Sequence, residues 1–176
     1  MRPRDMTRIA LFTALTALGA QISIPIGEVP ITLQVLFVLL SGMMLPPKQA
    51  FLSQLFYLLL GAVGFPVFAG FRGGVAHLYG PTAGYLWAFP LSALLVSYLF
   101  ARSENYALKM ISALSGVGVI YFGGWLRLGF FLNGNFFSAL KIGVLPFIGV
   151  DLLKAAIAMG IGEKVIVFLR LKGKGI

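Results

Sequence analysis

Long apolar runs, separated only by short polar connections, are the feature that most restricts how this chain can fold. Of its 176 residues, 59% are hydrophobic and only 11% are charged, and the mean hydropathy is +0.96. A soluble domain usually carries about 25% charged residues. The sequence therefore predicts an integral membrane protein, whose length is divided into helices of about 20 residues each.

Prolines, glycines and polar clusters divide the apolar sequence into six segments. The predicted spans are Ile9–Ile24, Ile31–Leu45, Gln49–Val63, Thr82–Ala101, Leu108–Phe130 and Leu140–Leu169. We therefore expect an all-α integral membrane protein, folded as one compact bundle of six transmembrane helices. No soluble domain is expected, so residues 1–176 are interpreted as a single domain.

The basic residues predict the orientation of this bundle, because an even number of spans places both termini on one side. With cytoplasmic termini, the cytoplasmic segments hold Arg2, Arg4, Arg8, Lys48, Arg102, Lys109, Lys164, Arg170, Lys172 and Lys174. The outer side and the interior keep Arg72, Arg127, Lys141 and Lys154. This asymmetry follows the positive-inside rule. The net charge of +9 is therefore interpreted as a topology signal and not as a nucleic-acid-binding surface.

Residues 64–85 form the least regular part of the chain, rich in glycine, proline and aromatic residues and nearly free of charge. So many glycines and prolines are incompatible with a helix. Non-helical backbone at membrane depth is tolerated where protein covers it or where it lines a cavity. We expect an outer loop, rich in glycine and aromatic residues, that folds back over the bundle and forms one wall of a site.

Asp151 and Lys154 are an acid and a base three residues apart inside the last apolar run. Residues i and i+3 share a helix face, so both side chains can point into the same space. An ionisable residue within a membrane marks a functional site by default. The alternative is an ion pair that only packs helices, since a buried pair is weak evidence of stabilisation by itself. In the functional interpretation, the pair binds a urea-like group, which offers N–H donors beside a carbonyl acceptor.

Arg72 lies among the glycines of the predicted outer loop, where a guanidinium can hold a carboxylate while backbone N–H groups approach closely. The alternative is an arginine at the headgroup boundary. His77 has no partner at metal-ligand spacing and is interpreted as an exposed loop residue. The loop aromatics, Phe68 and Tyr85 among them, can cover an apolar ligand body or serve as an interfacial belt.

Sequence signatures of enzymes are missing. The chain has no glycine-rich phosphate loop with its lysine. One histidine and five acids offer no convincing catalytic set, and there is no cysteine. We expect neither an enzyme nor a bound cofactor or metal, so active transport would draw its energy from a partner or an ion gradient.

Small residues line one face of the first span. Ala10, Ala14, Ala17 and Ala20 recur at three- and four-residue spacing, which lets another helix approach closely. Packing within the bundle and contact with another protein are both compatible with this pattern.

Four ordered motifs, covering almost the whole chain, resemble the BioY family, the biotin-specific substrate-binding (S) components of energy-coupling-factor (ECF) transporters. They are residues 29–34 (VPITLQ), 61–68 (GAVGFPVF), 80–86 (GPTAGYL) and 151–154 (DLLK). The resemblance implies a six-helix subunit that captures biotin outside a prokaryotic plasma membrane. It further implies a complex with a transmembrane coupling protein and two ATPases.

The resemblance also implies roles for individual residues. Asp151 and Lys154 match the acid and lysine that contact the bicyclic head of biotin, while Ala10 and Ala14 match an Ala-x-x-x-Ala pattern that contacts the coupling protein. Loop position and chemistry add a further set of expected substrate-binding residues: Gln34, Phe68, Gly70, Arg72, Gly73 and Tyr85.

The expected function is that of the biotin-binding subunit of an ATP-driven importer, with biotin as transported ligand. The alternative is a stand-alone carrier for biotin or a related solute. A membrane enzyme acting on a lipid is a rival from another class, against which the shortage of acid–base groups argues.

Overall fold

A computed structural model describes residues 2–102 and 104–173, with side chains up to residue 166. In this part of the chain there are seven α-helices. They are α1 (Pro3–Gln21), α2 (Gln34–Met44), α3 (Pro47–Ala62), α4 (Ala83–Phe100), α5 (Tyr106–Phe131), α6 (Phe136–Gly143) and α7 (Ile148–Gly173). Of the predicted basic tail, Lys174 and the side chains of Arg170 and Lys172 lie outside the described residues.

Helix ends follow local sequence signals. Pro3 and Pro47 stand in the first turns of α1 and α3, where the missing N–H of proline removes no helical hydrogen bond. Asn105 and Asn135 cap α5 and α6, since their side chains accept hydrogen bonds from Ala107 N at 2.8 Å and Ser138 N at 3.0 Å. The predicted spans four and five differ from α4 and α5 by only one or two residues at each end.

The connection between α1 and α2 is a small hairpin. Strands β1 (Ser23–Ile24) and β2 (Ile31–Thr32) pair antiparallel, and Gly27 in the turn has a φ of 57°. The first span is correspondingly misplaced. Helix α1 begins six residues earlier than predicted and ends before the hairpin, because Pro3 and Asp5 start a helix among the basic residues that precede the predicted span.

The last predicted span, Leu140–Leu169, is not one continuous helix. Helix α6 ends at Gly143, a 3-10 turn follows at Leu145–Phe147, and α7 begins at Ile148. Pro146 lies in this break, where it lacks an N–H donor and clashes with a continuing helix. After this break the start of α7, and Asp151 with it, lies close to the loop of residues 64–82.

Helix α4 occupies the centre of the bundle and packs against α2, α3 and α5. Helix α1 packs on α2 and α3, and α7 packs on α2 and α5. Close approach of α4 and α5 depends on Gly84 and Gly123, because a Cβ on Gly84 would overlap the backbone of Gly123. The apolar core includes Leu39, Tyr57, Ala93 and Ile120, all buried.

Among the described residues, three helical segments are long and apolar enough to cross a membrane: Ala83–Phe100, Tyr106–Phe131 and Phe136–Ile166, the last containing the 3-10 turn. Gln34–Met44 is apolar but shorter. Large apolar side chains such as Leu18, Trp87, Phe122 and Leu153 lie on the exterior of the bundle. The chain is therefore a mostly helical membrane protein, as the sequence predicts.

Candidate functional site

A cavity of about 350 Å³ opens at the end of the bundle that carries the hairpin and the loop of residues 64–82. The hairpin, this loop and helices α2, α4, α5 and α7 supply its walls. Six residues expected from the sequence line it: Gln34, Phe68, Arg72, Tyr85, Asp151 and Lys154. Residues more than 100 positions apart in the chain thus meet in one space.

Asp151 and Lys154 form the charged part of the cavity wall. Lys154 Nζ donates to Asp151 Oδ1 at 2.6 Å, and the two residues are only 4% and 3% exposed. Tyr121, on α5, donates its hydroxyl hydrogen to Asp151 Oδ2 at 2.8 Å. Each carboxylate oxygen can accept another hydrogen bond, and the ammonium has two further hydrogens. The pair can therefore bind a neutral group that both donates and accepts.

Gln34 begins α2 and is held in a defined orientation. Its Oε1 accepts from Thr32 Oγ1 at 2.9 Å, and its Nε2 donates to the Tyr57 hydroxyl. Because Thr32 also lines the cavity, these hydrogen-bonded side chains present amide and hydroxyl groups at the cavity wall formed by the hairpin and the start of α2. These groups add polar contacts to a wall that is otherwise apolar.

The hydroxyl of Tyr85 makes a hydrogen bond within the protein. The hydroxyl donates to Gly143 O at 2.6 Å, and the ring occupies the space where Gly124 has no Cβ. Tyr85 therefore fixes the end of α6 to α4 and α5, while part of its surface faces the cavity. Its contribution to a ligand is a flat apolar surface together with an acceptor oxygen.

The loop presents Phe68 and Arg72 together because the chain reverses between them. Phe68 N donates to Arg72 O at 2.9 Å, and Arg72 N donates to Phe68 O at 3.2 Å. The ring of Phe68 packs edge-on against Tyr57 and fills the space above Gly61, where a Cβ would overlap it. The Arg72 side chain is exposed at the cavity mouth, and no salt bridge joins it to a carboxylate of the described residues.

Gly70 and Gly73 do not line the cavity, and each serves the loop itself. Gly70 has a φ of 72°, a conformation that glycine adopts without steric strain. Gly73 packs against the backbone of Phe65, which occupies the place of a Cβ. The two glycines therefore shape the loop that carries Phe68 and Arg72.

His77 lies in the cavity wall and is half-buried, so its interpretation as an exposed loop residue is wrong. Its ring packs against Phe68 at a centroid distance of 5.9 Å. The sequence contains no metal-ligand spacing around it, and among the described residues no group of three metal-ligating side chains exists. Tyr121, Thr32 and Glu28 are further lining residues that sequence reasoning missed.

Ala10 and Ala14 both face outward from α1, whereas Ala17 is half-buried and Ala20 is fully buried against the bundle. The alanine pattern is therefore divided. Its first half leaves a small-residue surface on the exterior, and its second half serves internal packing.

The far end of the bundle has a different electrostatic character. Lys109 Nζ donates to Glu163 Oε1 at 2.7 Å and lies 4.0 Å from Glu104 Oε2. Arg8 lies beside this group, around a second hollow. Basic residues of the predicted cytoplasmic set thus meet at the end opposite to Arg72.

Comparison with known proteins agrees with these features. The sequence model of the BioY family matches residues 1–170. The chain is 48% identical to a probable biotin transporter BioY of Pyrococcus horikoshii, over 93% of this chain and 97% of that one. It is 42% identical to a biotin transporter BioY of Thermotoga maritima, over 96% of both chains.

A solved structure shares the fold. The S-component for biotin from an ECF-type ABC transporter superposes with a TM-score of 0.86 at 30% identity, covering 94% of each chain. Together with the sequence match over residues 1–170, this establishes that the chain is a member of the BioY family.

Proposed function

We propose that this chain is the biotin-binding subunit, the S component, of an ATP-driven ECF-type importer. The observation that carries the proposal is the Asp151–Lys154 pair, 2.6 Å apart and buried in the wall of a cavity at one end of the bundle. The relatives' names are those of biotin transporters and not of enzymes. Biotin is the transported ligand, and no cofactor is expected.

The ureido ring of biotin fits the chemistry of this pair. One N–H group and the carbonyl share an edge of this ring. That N–H suits Asp151, which retains acceptor capacity beside Tyr121, and the carbonyl oxygen suits the remaining hydrogens of Lys154. The valeryl carboxylate would then extend toward Arg72 at the cavity mouth. Phe68 and Tyr85 supply apolar surface for the body of the ligand, and Gln34 supplies a polar contact.

A cavity of about 350 Å³ is also of the right order for this ligand. Sites for small molecules commonly enclose roughly 300–1,000 Å³, with mainly apolar walls and a few polar groups that fix orientation. Gly70 and Gly73 act through the loop in this proposal and do not contact the ligand.

The proposed topology is a single domain of six membrane spans over residues 1–176, with a hairpin and loop on the outer side. Both termini lie in the cytoplasm of a prokaryote, whose plasma membrane holds the protein. Support comes from the gathering of Arg8 and Lys109 at the end opposite to Arg72, in agreement with the positive-inside rule.

The energy for transport is proposed to come from partner subunits: a transmembrane coupling protein and two ATPases. Ala10 and Ala14 leave room for a helix of the coupling protein, since small residues let helix backbones approach closely in lipid. Their outward position on α1 is the structural support for this contact.

Labelled biotin tests the proposal in two steps. The purified chain is expected to bind biotin, and Asp151→Asn and Lys154→Met are each expected to weaken binding strongly, while Lys109→Met at the far end leaves it unchanged. In proteoliposomes, the chain alone is expected to bind biotin without accumulating it, and accumulation requires the partner subunits and ATP. Accumulation by the chain alone would instead make it a stand-alone carrier.

If Asp151→Asn and Lys154→Met both bound biotin with wild-type affinity, this cavity would not be the biotin-binding site. If the purified chain did not bind biotin at all, the proposed function would be wrong.

A further inference from the structure

The side chain of Gln21 makes more contacts with the outer loop than any role in α1 requires. Gln21 is the last residue of α1 and does not line the cavity. We propose that Gln21 is a positioning residue for substrate binding, which holds the turn of residues 68–72 so that Arg72 faces the ligand carboxylate. This inference rests on the proposed function and goes beyond it, because Gln21 acts without touching the ligand.

The carboxamide of Gln21 joins both sides of the turn. Its Oε1 accepts from Phe71 N at 2.8 Å, and its Nε2 donates to Phe68 O at 3.2 Å. Two more carbonyl oxygens, of Ala17 and Pro66, lie 3.2 Å and 3.4 Å from Nε2. The orientation of the amide follows from chemistry, because only its nitrogen can face three carbonyls while its oxygen faces an N–H.

The turn needs such a hold because of its backbone conformation. Phe71 has a φ of 57° and follows Gly70 at 72°, so two successive residues lie in the left-handed region. A non-glycine residue rarely adopts this conformation. The hydrogen bond from Phe71 N to Gln21 stabilises it at the residue immediately before Arg72.

Gln21 itself stands on a fixed support. Helix α1 is joined to α3 by Thr13 Oγ1, which donates to Ser53 O at 2.8 Å, and by Thr16 and Gln54, whose side chains lie 3.2 Å apart. Leu33 N, one residue before Gln34, donates to Gly19 O at 3.0 Å. Helix α1 is therefore attached to α3 along its length, and its last turn is attached to the start of α2, which lines the cavity.

The two cavity residues of the turn depend on Gln21 to different degrees. The ring of Phe68 is held independently by Tyr57 and by the space above Gly61. Arg72 has no such support, because no salt bridge holds its exposed guanidinium within the described part of the chain. Loss of the Gln21 contacts should therefore misplace Arg72 more than Phe68.

The test compares biotin with biotinamide, in which a neutral amide replaces the carboxylate, on the full detergent-solubilised chain. Gln21→Met preserves side-chain length and removes both hydrogen bonds to the turn, so biotin affinity is expected to fall about tenfold. Affinity for biotinamide is expected to change less than about twofold. Gln49→Met at the start of α3 is the matched control and should bind both ligands as wild type does.

A second background isolates the route of the effect. In Arg72→Met, adding Gln21→Met should cause no further loss of biotin affinity, because residues that act through one another are not additive. Gln21→Glu keeps an acceptor for Phe71 N but turns its second oxygen toward three carbonyl oxygens, so its affinity for biotin should fall at least as far as that of Gln21→Met.

Three results would overturn the inference: wild-type affinity of Gln21→Met for biotin, equal losses for biotin and biotinamide, or additive losses with Arg72→Met. Failure of the proposed function has a different signature, in which the wild-type chain does not bind biotin or Arg72→Met binds it normally. Hydrogen exchange of the Phe71 amide then tests the hold on the turn directly, since it should quicken in Gln21→Met. An unchanged exchange rate of the Phe71 amide in Gln21→Met would show that Gln21 does not hold the turn.

Discussion

Removal of both charges of the Asp151–Lys154 pair separates a structural role from a ligand-binding role. Lys154 Nζ lies 2.6 Å from Asp151 Oδ1, and both residues are nearly completely buried. Lys154→Met alone leaves the carboxylate with Tyr121 as its remaining partner, and Asp151→Leu alone leaves an unpaired ammonium. Breaking a buried pair from one side typically costs about 3–5 kcal/mol of folding free energy.

The double variant Asp151→Leu/Lys154→Met has no uncompensated charge. Replacement of a buried pair by apolar residues of similar volume is often neutral or stabilising. Its free energy of unfolding should therefore lie within about 1–2 kcal/mol of wild type once the lost Tyr121 hydrogen bond is included. Biotin binding should nevertheless be lost in all three variants, because hydrogen bonds to charged groups contribute about 1.5–3 kcal/mol each.

Denaturant unfolding in detergent and equilibrium binding of labelled biotin measure the two quantities on the same samples. Lys109→Met/Glu163→Leu is the matched control, since that pair is 2.7 Å apart at the other end of the bundle and touches no part of the cavity. A stable double variant that still binds biotin tightly would show that the pair only packs helices, and the reasoning would fail.

Three further predictions follow from the same geometry. Tyr121→Phe removes the hydrogen bond to Asp151 Oδ2 and should lower biotin affinity about three- to tenfold in a binding titration. An unchanged affinity would contradict a role for Tyr121 in orienting the carboxylate. Gly61→Val should displace the ring of Phe68 and lower both thermal stability and biotin binding, and a variant that is normal in both assays would refute that packing. Ala14→Trp, on the exterior of α1, should preserve biotin binding by the isolated chain and abolish its co-purification with the coupling protein; retention of the complex would place the contact elsewhere.

Much of the helical fold was predictable because the boundaries of the apolar runs are marked by strong local signals. Helices α3 and α5 begin at Pro47 and Tyr106, each two residues before the predicted start of its span. The errors occur where the signal depends on tertiary structure. The break at Pro146 lies within an apolar run, and the two-residue strands β1 and β2 are too short to produce a pattern.

For the site, the strongest sequence signal was a charged residue within an apolar or glycine-rich segment. Asp151, Lys154 and Arg72 were identifiable because charge is rare in this sequence. Tyr121 was missed because a tyrosine in an apolar helix has many possible roles, and only the packing of α5 against α7 brings its hydroxyl to Asp151. His77 was misjudged because its burial results from the folding of the loop onto Phe68.

The central claim is that Asp151 and Lys154 bind the ureido ring of biotin, and the position of the ligand in a biotin-bound structure of this chain tests it most directly. In such a structure we expect one ureido nitrogen within about 2.7–3.2 Å of the Asp151 carboxylate and the ureido oxygen equally close to Lys154 Nζ. The valeryl carboxylate should lie near Arg72. Biotin bound in the reverse orientation, with its carboxylate on Lys154, or bound outside this cavity would contradict the claim.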